Sequence, residues 1–578
     1  GPEIMINGNH ASGSDYAFNL YNVSGVTIKG FIIGGFTDGI EIDGNSHNNS
    51  VIGNYIGCNY NATDTLSNTE GIEIMGGPYS NTIGGATADK QNIVSGNKDV
   101  GIRAVNSNSN IIKGNYVGLN RTGNAAIKNT EGISIEGTSK YNIIGGYTAA
   151  ERNYVSGNDA YGITVYGDYN IIIGNFVGTD ITGTDSVPNT YGVLFDEGAC
   201  YNRLGGTAAG AGNLMSGNSG YGVFIYNLST LADTVVGNLI GTDVTGTLPL
   251  PNTNGMVIDG IASKHYIDNN VISANRQCGI DIHISGTDSN VIVRNKIGTD
   301  ITGTQALGNA IDGIRIAEGG QHNMIGLPGK GNIIAYNGGN GITLMTAADL
   351  YNTISENSIY SNASLGIDLY PAGVNANDAG SSDTAGPNEL MNYPVIQNVN
   401  LNAISGITSV SGTIDHTIHG GSNGIRIELF KSDNNISGYG EGKEFIGYAI
   451  SDGSGNWSFN CSCLGSSDIV TSTATDLRGN TSEFSLNSSV ITSVNDNTLD
   501  NNLKLYPNPA SSVLVVEFSN ETFQNADCKI INAIGEVVLN GNLKGKKNII
   551  DINSLTEGVY LLQLNNGNDI IIRKIIKH

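Results

Sequence analysis

One order of residues recurs along most of this chain. Gly-Ile-x-Ile comes first, then Asn-x-Ile-Gly-Gly or Asn-x-Ile-x-Gly-Asn, then Gly-Thr-Asp-x-Thr-Gly-Thr. A short unit that repeats cannot bury its apolar face alone and must stack on its neighbours, so the pattern dictates a solenoid. The marker Gly-(Ile/Val/Met) begins each unit, at Gly39, Gly71, Gly101 and Gly132 and onward to Gly366, at intervals of 24 to 34 residues. Within a unit apolar residues alternate, as Ile72 and Ile74 do around Glu73. Period two means strand. The strands are short, rich in Ile and Val, and separated by Gly and Asn, which enter turns readily. Helical periodicity is nearly absent. A unit of this length holds three short strands and their turns, one coil of a parallel β-helix. The turn asparagines are expected to stack from coil to coil. The Gly-Thr-Asp segments are loop insertions, and Asp180, Asp243 and Asp300 at matching places are expected to bind backbone N–H groups of their own turns.

The coil pattern covers residues 1–389. Residues 390–490 change texture: "GIRIELF", "KEFIGYAI", "NWSFNC" and "DIVTSTAT" are alternating strands broken by Gly, Asn and Ser, the pattern of an immunoglobulin-like β-sandwich. Residues 491–502, nearly all of them "TSVNDNTLDNN", read as a polar linker. Residues 503–578 form a last small β-domain. The fold class is therefore all-β throughout.

Only 14% of residues are charged and 81 are Gly, as a turn-rich β protein requires. The net charge of −24 argues against nucleic acid and anionic membranes as partners, because both need basic surface. No stretch is long and apolar enough to form a transmembrane segment. The six cysteines make no dense disulfide framework. Cys461 and Cys463, on one face of a strand, read as packed thiols or a marginal redox pair rather than a metal site. No signal peptide is present, and "GPEIMING" already reads as a coil, so the native start is expected upstream.

The last segment contains Tyr506-Pro507-Asn508-Pro509-Ala510, Ile534-Gly535-Glu536, Gly558-Val559-Tyr560-Leu561 and the basic pair Arg573-Lys574. With these it resembles the type A sorting domain of the bacterial type IX secretion system. That resemblance implies a Bacteroidetes-type organism, the secretion machinery as a partner, and a secreted or outer-membrane cell-surface location. The Gly-Thr-Asp loops, the Asn-x-Ile-Gly-Gly turns and "NDAGSSDTAGPNELMNYPVI" resemble bacterial right-handed parallel β-helix repeat proteins, the broad pectate-lyase-like group. That group includes polysaccharide lyases, hydrolases, epimerases and proteins without known activity. The Asn-Thr-Asp, Asp-Asp and Gly-His-Gly set of polygalacturonases is missing here. So are the Arg-x-Pro-x-x-Arg of pectate lyases and the Asp-Pro-His of alginate epimerases.

Stacked coils place equivalent residues about 4.8 Å apart. The residue after Gly-Ile and the one two further on are expected to form outward, solvated rows. In the second row Tyr166, Asp196, Tyr226, Asp259 and His283 follow one another, with Asp281 and Arg315 beside the end. Rings stack on sugar faces and carboxylates accept hydroxyl hydrogen bonds, so Tyr166, Asp196 and Tyr226 are candidate substrate-binding residues. Asp259, Asp281, His283 and Arg315 are the candidate acid/base cluster. Tyr161, Tyr191 and Tyr221, each just before a marker Gly, read first as structural turn packing. Asp368, Asp378 and Asp383, in or near the polar loop that ends the helix, are candidate Ca²⁺ ligands, being oxygen donors at irregular spacing. These features suggest extracellular engagement of polysaccharide, as a binding or adhesion protein. The alternatives are a polysaccharide lyase or glycoside hydrolase using the Tyr-Asp-His face, and a structural fibre.

Overall fold

The structure, a computed structural model, describes residues 2–8, 15–417, 421–433, 435, 437–493, 503–519, 525–566 and 570–578. Three long parallel sheets carry the first part of the chain. They hold 13, 13 and 12 strands, and each strand pairs with the one three places later in the chain. This is a parallel β-helix. The first sheet runs from Ile4–Asn7 to Ser358–Tyr360, the second from Tyr16–Tyr21 to Ile367–Leu369, and the third from Thr27–Lys29 to Thr353–Ile354. Register on the second sheet keeps Ile40, Ile72, Ile102, Ile133 and Ile163 in one inward row. That row and its equivalents on the other two sheets make one continuous apolar core, with Ile40, Ile72 and Ile102 wholly buried.

The marker glycine is explained by close packing. A Cβ on Gly71 would lie 2.4 Å from the carbonyl oxygen of Gly101 in the next coil. At Gly178, opening a Gly-Thr-Asp loop, φ is +94° and a Cβ would lie 2.3 Å from Asn218 Oδ1.

Each corner of the coil carries a stacked asparagine row. One runs from Asn54 through Asn92 and Asn115 to Asn357, another from Asn68 through Asn97 and Asn129 to Asn362, with amide-to-amide distances of 2.8 to 3.2 Å. Each amide bridges two coils, which satisfies buried polar groups that the turns would otherwise orphan. The remaining row departs from asparagine at two rungs. Asn202 donates to Asp233, and the Asp233 amide in turn donates to His265 Nδ1 at 3.2 Å. In the loops, Thr184 N and Asp185 N donate to Asp180 Oδ1, and Asp243 and Asp300 repeat the arrangement.

The chain divides into two compact units, 1–399 with 408–490, and 400–407 with 491–578. In the first unit, antiparallel strands Arg426–Ser432, Gly442–Ile450 and Ile469–Thr475 form one small sheet, and Thr408–Thr413 pairs with Asn456–Cys461. This part closes the end of the β-helix. Phe430 and Phe484 join the helix core. Three buried glutamates take edge donors of the last coil. Glu428 accepts from Glu356 N at 2.8 Å, Glu441 from Asn362 N at 3.1 Å, and Glu483 from Leu369 N at 3.0 Å. Cys461 and Cys463 are joined in a disulfide rather than being packed thiols.

In the second unit, Asn400–Asn402 pairs in parallel with Ile491–Ser493. The first residues of the expected linker are thus strand. Residues 494–502 lie outside the described residues. Two antiparallel sheets follow, one of Leu503–Tyr506, Val513–Phe518 and Lys547–Asp551, the other of Val537–Asn542, Asp527–Ile531, Gly558–Asn565 and Ile570–Lys577. They share a core around Leu514, Val516, Ile530 and Leu562. No helix among the described residues is long and apolar enough to cross a membrane.

Candidate functional site on the second sheet

The outward face of the second sheet carries three rows, not two. The middle row, expected to be solvated, is largely buried: Ser134, Thr164 and Asp281 have no exposure and Leu194 has 2%. The reason is width. The row before the marker glycine and the row after it lean over short central side chains. Thr164 thus reaches Glu131 at 3.3 Å, and Asn254 reaches Asp281 at 3.3 Å.

At one end of this face Arg103 gathers carboxylates. It makes two bonds to Glu136, at 3.0 and 2.8 Å, and lies 3.3 Å from Glu70 and 3.8 Å from Glu73. Burial lifts the Asp38 and Glu70 carboxyls to about 7.

Further along, Tyr161 stacks on Tyr191 at 5.4 Å between centroids, and Tyr221 lies tilted against Tyr191 at 5.1 Å. Tyr161 and Tyr191 lie in strands rather than turns. Their run continues sideways. Phe224 lies 5.3 Å from Tyr221 and 5.2 Å from Tyr226, joining the tyrosines to the predicted row. With Phe224 and Tyr226 these three tyrosines form one aromatic strip on the predicted face. The signal was present in the sequence as Tyr before Gly in three successive coils, but only Phe224 links it to Tyr226. Tyr226 is exposed, while Tyr166 and Asp196 are half-buried. Burial, with Glu131 and Asp196 nearby, raises the Tyr166 hydroxyl pKa.

Beside the strip stand the predicted acid/base residues. Asp281 Oδ2 lies 2.8 Å from His283 Nε2, and Asp281 Oδ1 accepts from Arg315 Nε at 2.8 Å. Burial alone would raise the Asp281 carboxyl, but the bonds from His283 and Arg315 hold it below the usual range. The Asp281 bond in turn raises the His283 imidazole, against the opposing effect of burial. Asp281 is fully buried and both its oxygens are engaged, one by His283 and one by Arg315, so the structure brings these three predicted residues together with Asp281 holding the His283 ring. His283, with 27% of its side chain exposed, is the group able to present a proton at the surface. Asp259 occupies the adjacent coil, its Oδ1 accepting from Gly260 N. It adds negative charge near His283, and no side-chain bond joins them among the described residues.

The predicted calcium ligands are not brought together. Asp368 accepts from Asn340 at 2.8 Å and from Gly373 N at 3.1 Å, and Asp378 accepts from Ser382 N at 2.8 Å. Asp383 is exposed. Among the described residues no three His, Cys, Asp or Glu side chains converge on a metal position.

Comparison with known proteins adds one assignment. Residues 504–578 match the family described as the secretion system C-terminal sorting domain. No curated protein matches the chain. Among solved structures, the chain is similar to dimeric latent PorU from Porphyromonas gingivalis, at 14% identity and a TM-score of 0.12, covering 32% of this chain and 20% of that one. It is similar to the full-length tailspike protein 2 of Escherichia coli O157:H7 bacteriophage CAB120, at 11% identity and a TM-score of 0.25, over 97% of this chain and 64% of that one. It is also similar to tailspike protein gp49 of Acinetobacter baumannii bacteriophage Fri1, described as a capsular polysaccharide depolymerase. There the identity is 8% and the TM-score 0.25, over 82% of this chain and 84% of that one. The chain thus spans a fifth of PorU and just under two thirds of the first tailspike. A β-helix followed by a type IX sorting domain marks the protein as secreted or cell-surface.

Proposed function

We propose that the protein binds extracellular polysaccharide along the outward face of the second sheet. The observation carrying this reading is the unbroken strip from Tyr161 through Tyr191, Tyr221 and Phe224 to Tyr226, set beside Asp196, Asp259 and His283. Aromatic faces take the C–H faces of sugar rings, and flanking polar groups take the hydroxyls. The spacing of coils, about 4.8 Å, lets successive rings follow an extended chain. The test is a panel of plant, algal and bacterial polysaccharides. Tyr191→Ala with Tyr226→Ala should weaken binding of a retained glycan about tenfold or more, since each lost stacking contact is worth roughly 1 kcal/mol. Parental affinity in that variant would return this face to ordinary surface.

A second reading, depolymerisation by a lyase or hydrolase, is favoured by His283, held by a buried carboxylate with its ring edge at the surface. In that case His283→Ala abolishes release of reducing ends or unsaturated uronates while glycan binding persists.

A further inference from the structure

The first sheet carries a different surface. Its outward row places Phe176, Leu214, Leu239, Val271 and Lys296 in register on successive coils. Val244 and Ile301 of the Gly-Thr-Asp loops, and the Gly206–Gly212 turn, line the same space, a cavity of about 340 Å³. A second cavity, of about 220 Å³, adjoins it and is floored by Tyr116 and Tyr154. Arg152 lines both.

Two observations single this groove out. Its principal cavity is lined by two cations and no carboxylate, in a chain with 28 basic and 52 acidic residues. Neither cation has an acidic partner among the described residues. Arg152 is half-buried, its Cζ 3.7 Å from the Phe176 centroid and its Nε donating to Gly174 O at 3.0 Å. Nearby acids are occupied: Glu151 pairs with Lys113 at 2.9 Å, Asp268 pairs with Arg294, and Asp243 binds its own loop. A half-buried guanidinium without a counter-charge is costly unless an anion completes it.

We propose that this groove is a binding site for acidic saccharide, a sugar chain bearing carboxylate or sulfate groups. The guanidinium fork of Arg152 suits either group. The accessible apolar side chains of the groove, Leu239, Val244 and Ile301, suit the C–H faces of sugar rings, and the glycine wall lets a chain lie close to backbone. Phe176 and Lys296 are four coils apart, roughly 19 Å at 4.8 Å per coil. Arg152 and Lys296 therefore hold charges at two points of one extended oligosaccharide. This inference takes its ligand class from the polysaccharide reading but uses none of that site's residues, so the two fail separately.

The experiment titrates the full chain with an oligogalacturonate, a sulfated oligosaccharide and a neutral oligoglucan of similar length. One or both acidic ligands should bind tighter than the neutral one, and the preferred one identifies the anionic group. Arg152→Gln with Lys296→Gln should lose about tenfold or more of that affinity, the equivalent of one charge-assisted hydrogen bond. Val244→Trp, which fills the mouth and keeps both cations, should do the same and decides alone if the double variant fails to fold. Neither should change binding of a neutral glycan to the second sheet, which Tyr191→Ala with Tyr226→Ala removes. The proposal is overturned if acidic ligands bind no tighter than neutral ones, or if folded groove variants keep parental acidic affinity. Neutral binding that survives Tyr191→Ala with Tyr226→Ala would instead remove the second-sheet reading.

Discussion

Asp281 sets the behaviour of its neighbours because it is a buried anion held by two donors. Its folded pKa lies below the unfolded value of about 3.9, so its contribution is present above that pH and is lost as pH falls through the folded pKa. His283 titrates above its unfolded value of about 6.5, so its contribution is full below that pH and is lost as pH rises through the folded value. Together they stabilise most between roughly pH 4 and 6.5. Asp281→Asn should return the His283 titration, followed by NMR, toward or below 6.5. It should also cost about 3 kcal/mol, because Arg315 keeps a charge without its partner. An unmoved His283 titration would show that Asp281 does not position it. The asparagine row makes a second residue-scale case. Burial raises Asp233 to about 8 and lowers His265 to about 3, so the two meet as neutral groups at neutral pH. The raised carboxyl makes stability fall as pH climbs from about 4 to 8. Asp233→Asn restores the amide and removes that fall. Melting curves of parent and variant should therefore diverge across this range, and parallel curves would contradict the assignment.

At the scale of elements, the sandwich is a lid on an otherwise open stack of sheet edges. Glu428, Glu441 and Glu483 occupy donors that would otherwise pair with another chain, and Phe430 and Phe484 plug the core. An uncovered parallel edge is a template for association. A chain ending near residue 389 should therefore form concentration-dependent oligomers in light scattering, where the chain retaining the sandwich stays monodisperse. Monomeric behaviour of the shortened chain would show that the cap is dispensable. The Gly-Thr-Asp loops depend on one carboxylate each. Burial would raise Asp243, but the Leu248 amide and Thr245 hydroxyl outweigh it and hold its pKa low. Asp243→Ala should cost about 1 kcal/mol and speed hydrogen exchange at Thr247 and Leu248.

The whole molecule combines an acidic surface with many raised carboxyls. Asp38, Glu70 and Glu483 lie near 7 and Glu441 near 8, all through burial first. Each contributes stability that is full below its unfolded value, about 4, and is lost as pH rises through its folded one. The melting temperature should accordingly be higher near pH 5.5 than near pH 8.5. The sorting domain has its own core, so a chain lacking residues 503–578 should keep the melting transition of the β-helix while the native host fails to export it. Efficient secretion of that shortened chain would contradict the sorting role.

Coil, register and marker glycine were legible in the residues because they follow from local alternation repeated at a near-constant interval, and every coil restates them. The asparagine rows and the Asp180, Asp243 and Asp300 turns were legible for the same reason. The sites were only half legible. Tyr166, Asp196, Tyr226, Asp259, Asp281, His283 and Arg315 could be placed on one face by counting. Counting did not reveal that a third row narrows the face, burying Asp281 and leaving His283 at the surface. Burial depends on which side chains lean across neighbouring rows, a property of packing rather than of period. The Arg152–Lys296 groove was invisible in the sequence because its walls come from loop insertions and its ends from residues 144 positions apart (296 minus 152). The sequence by itself determined that coils would stack, since no single coil can bury its own apolar face. Tertiary structure alone decided which outward side chains reach solvent and which cations lack a partner, because both depend on contacts between coils.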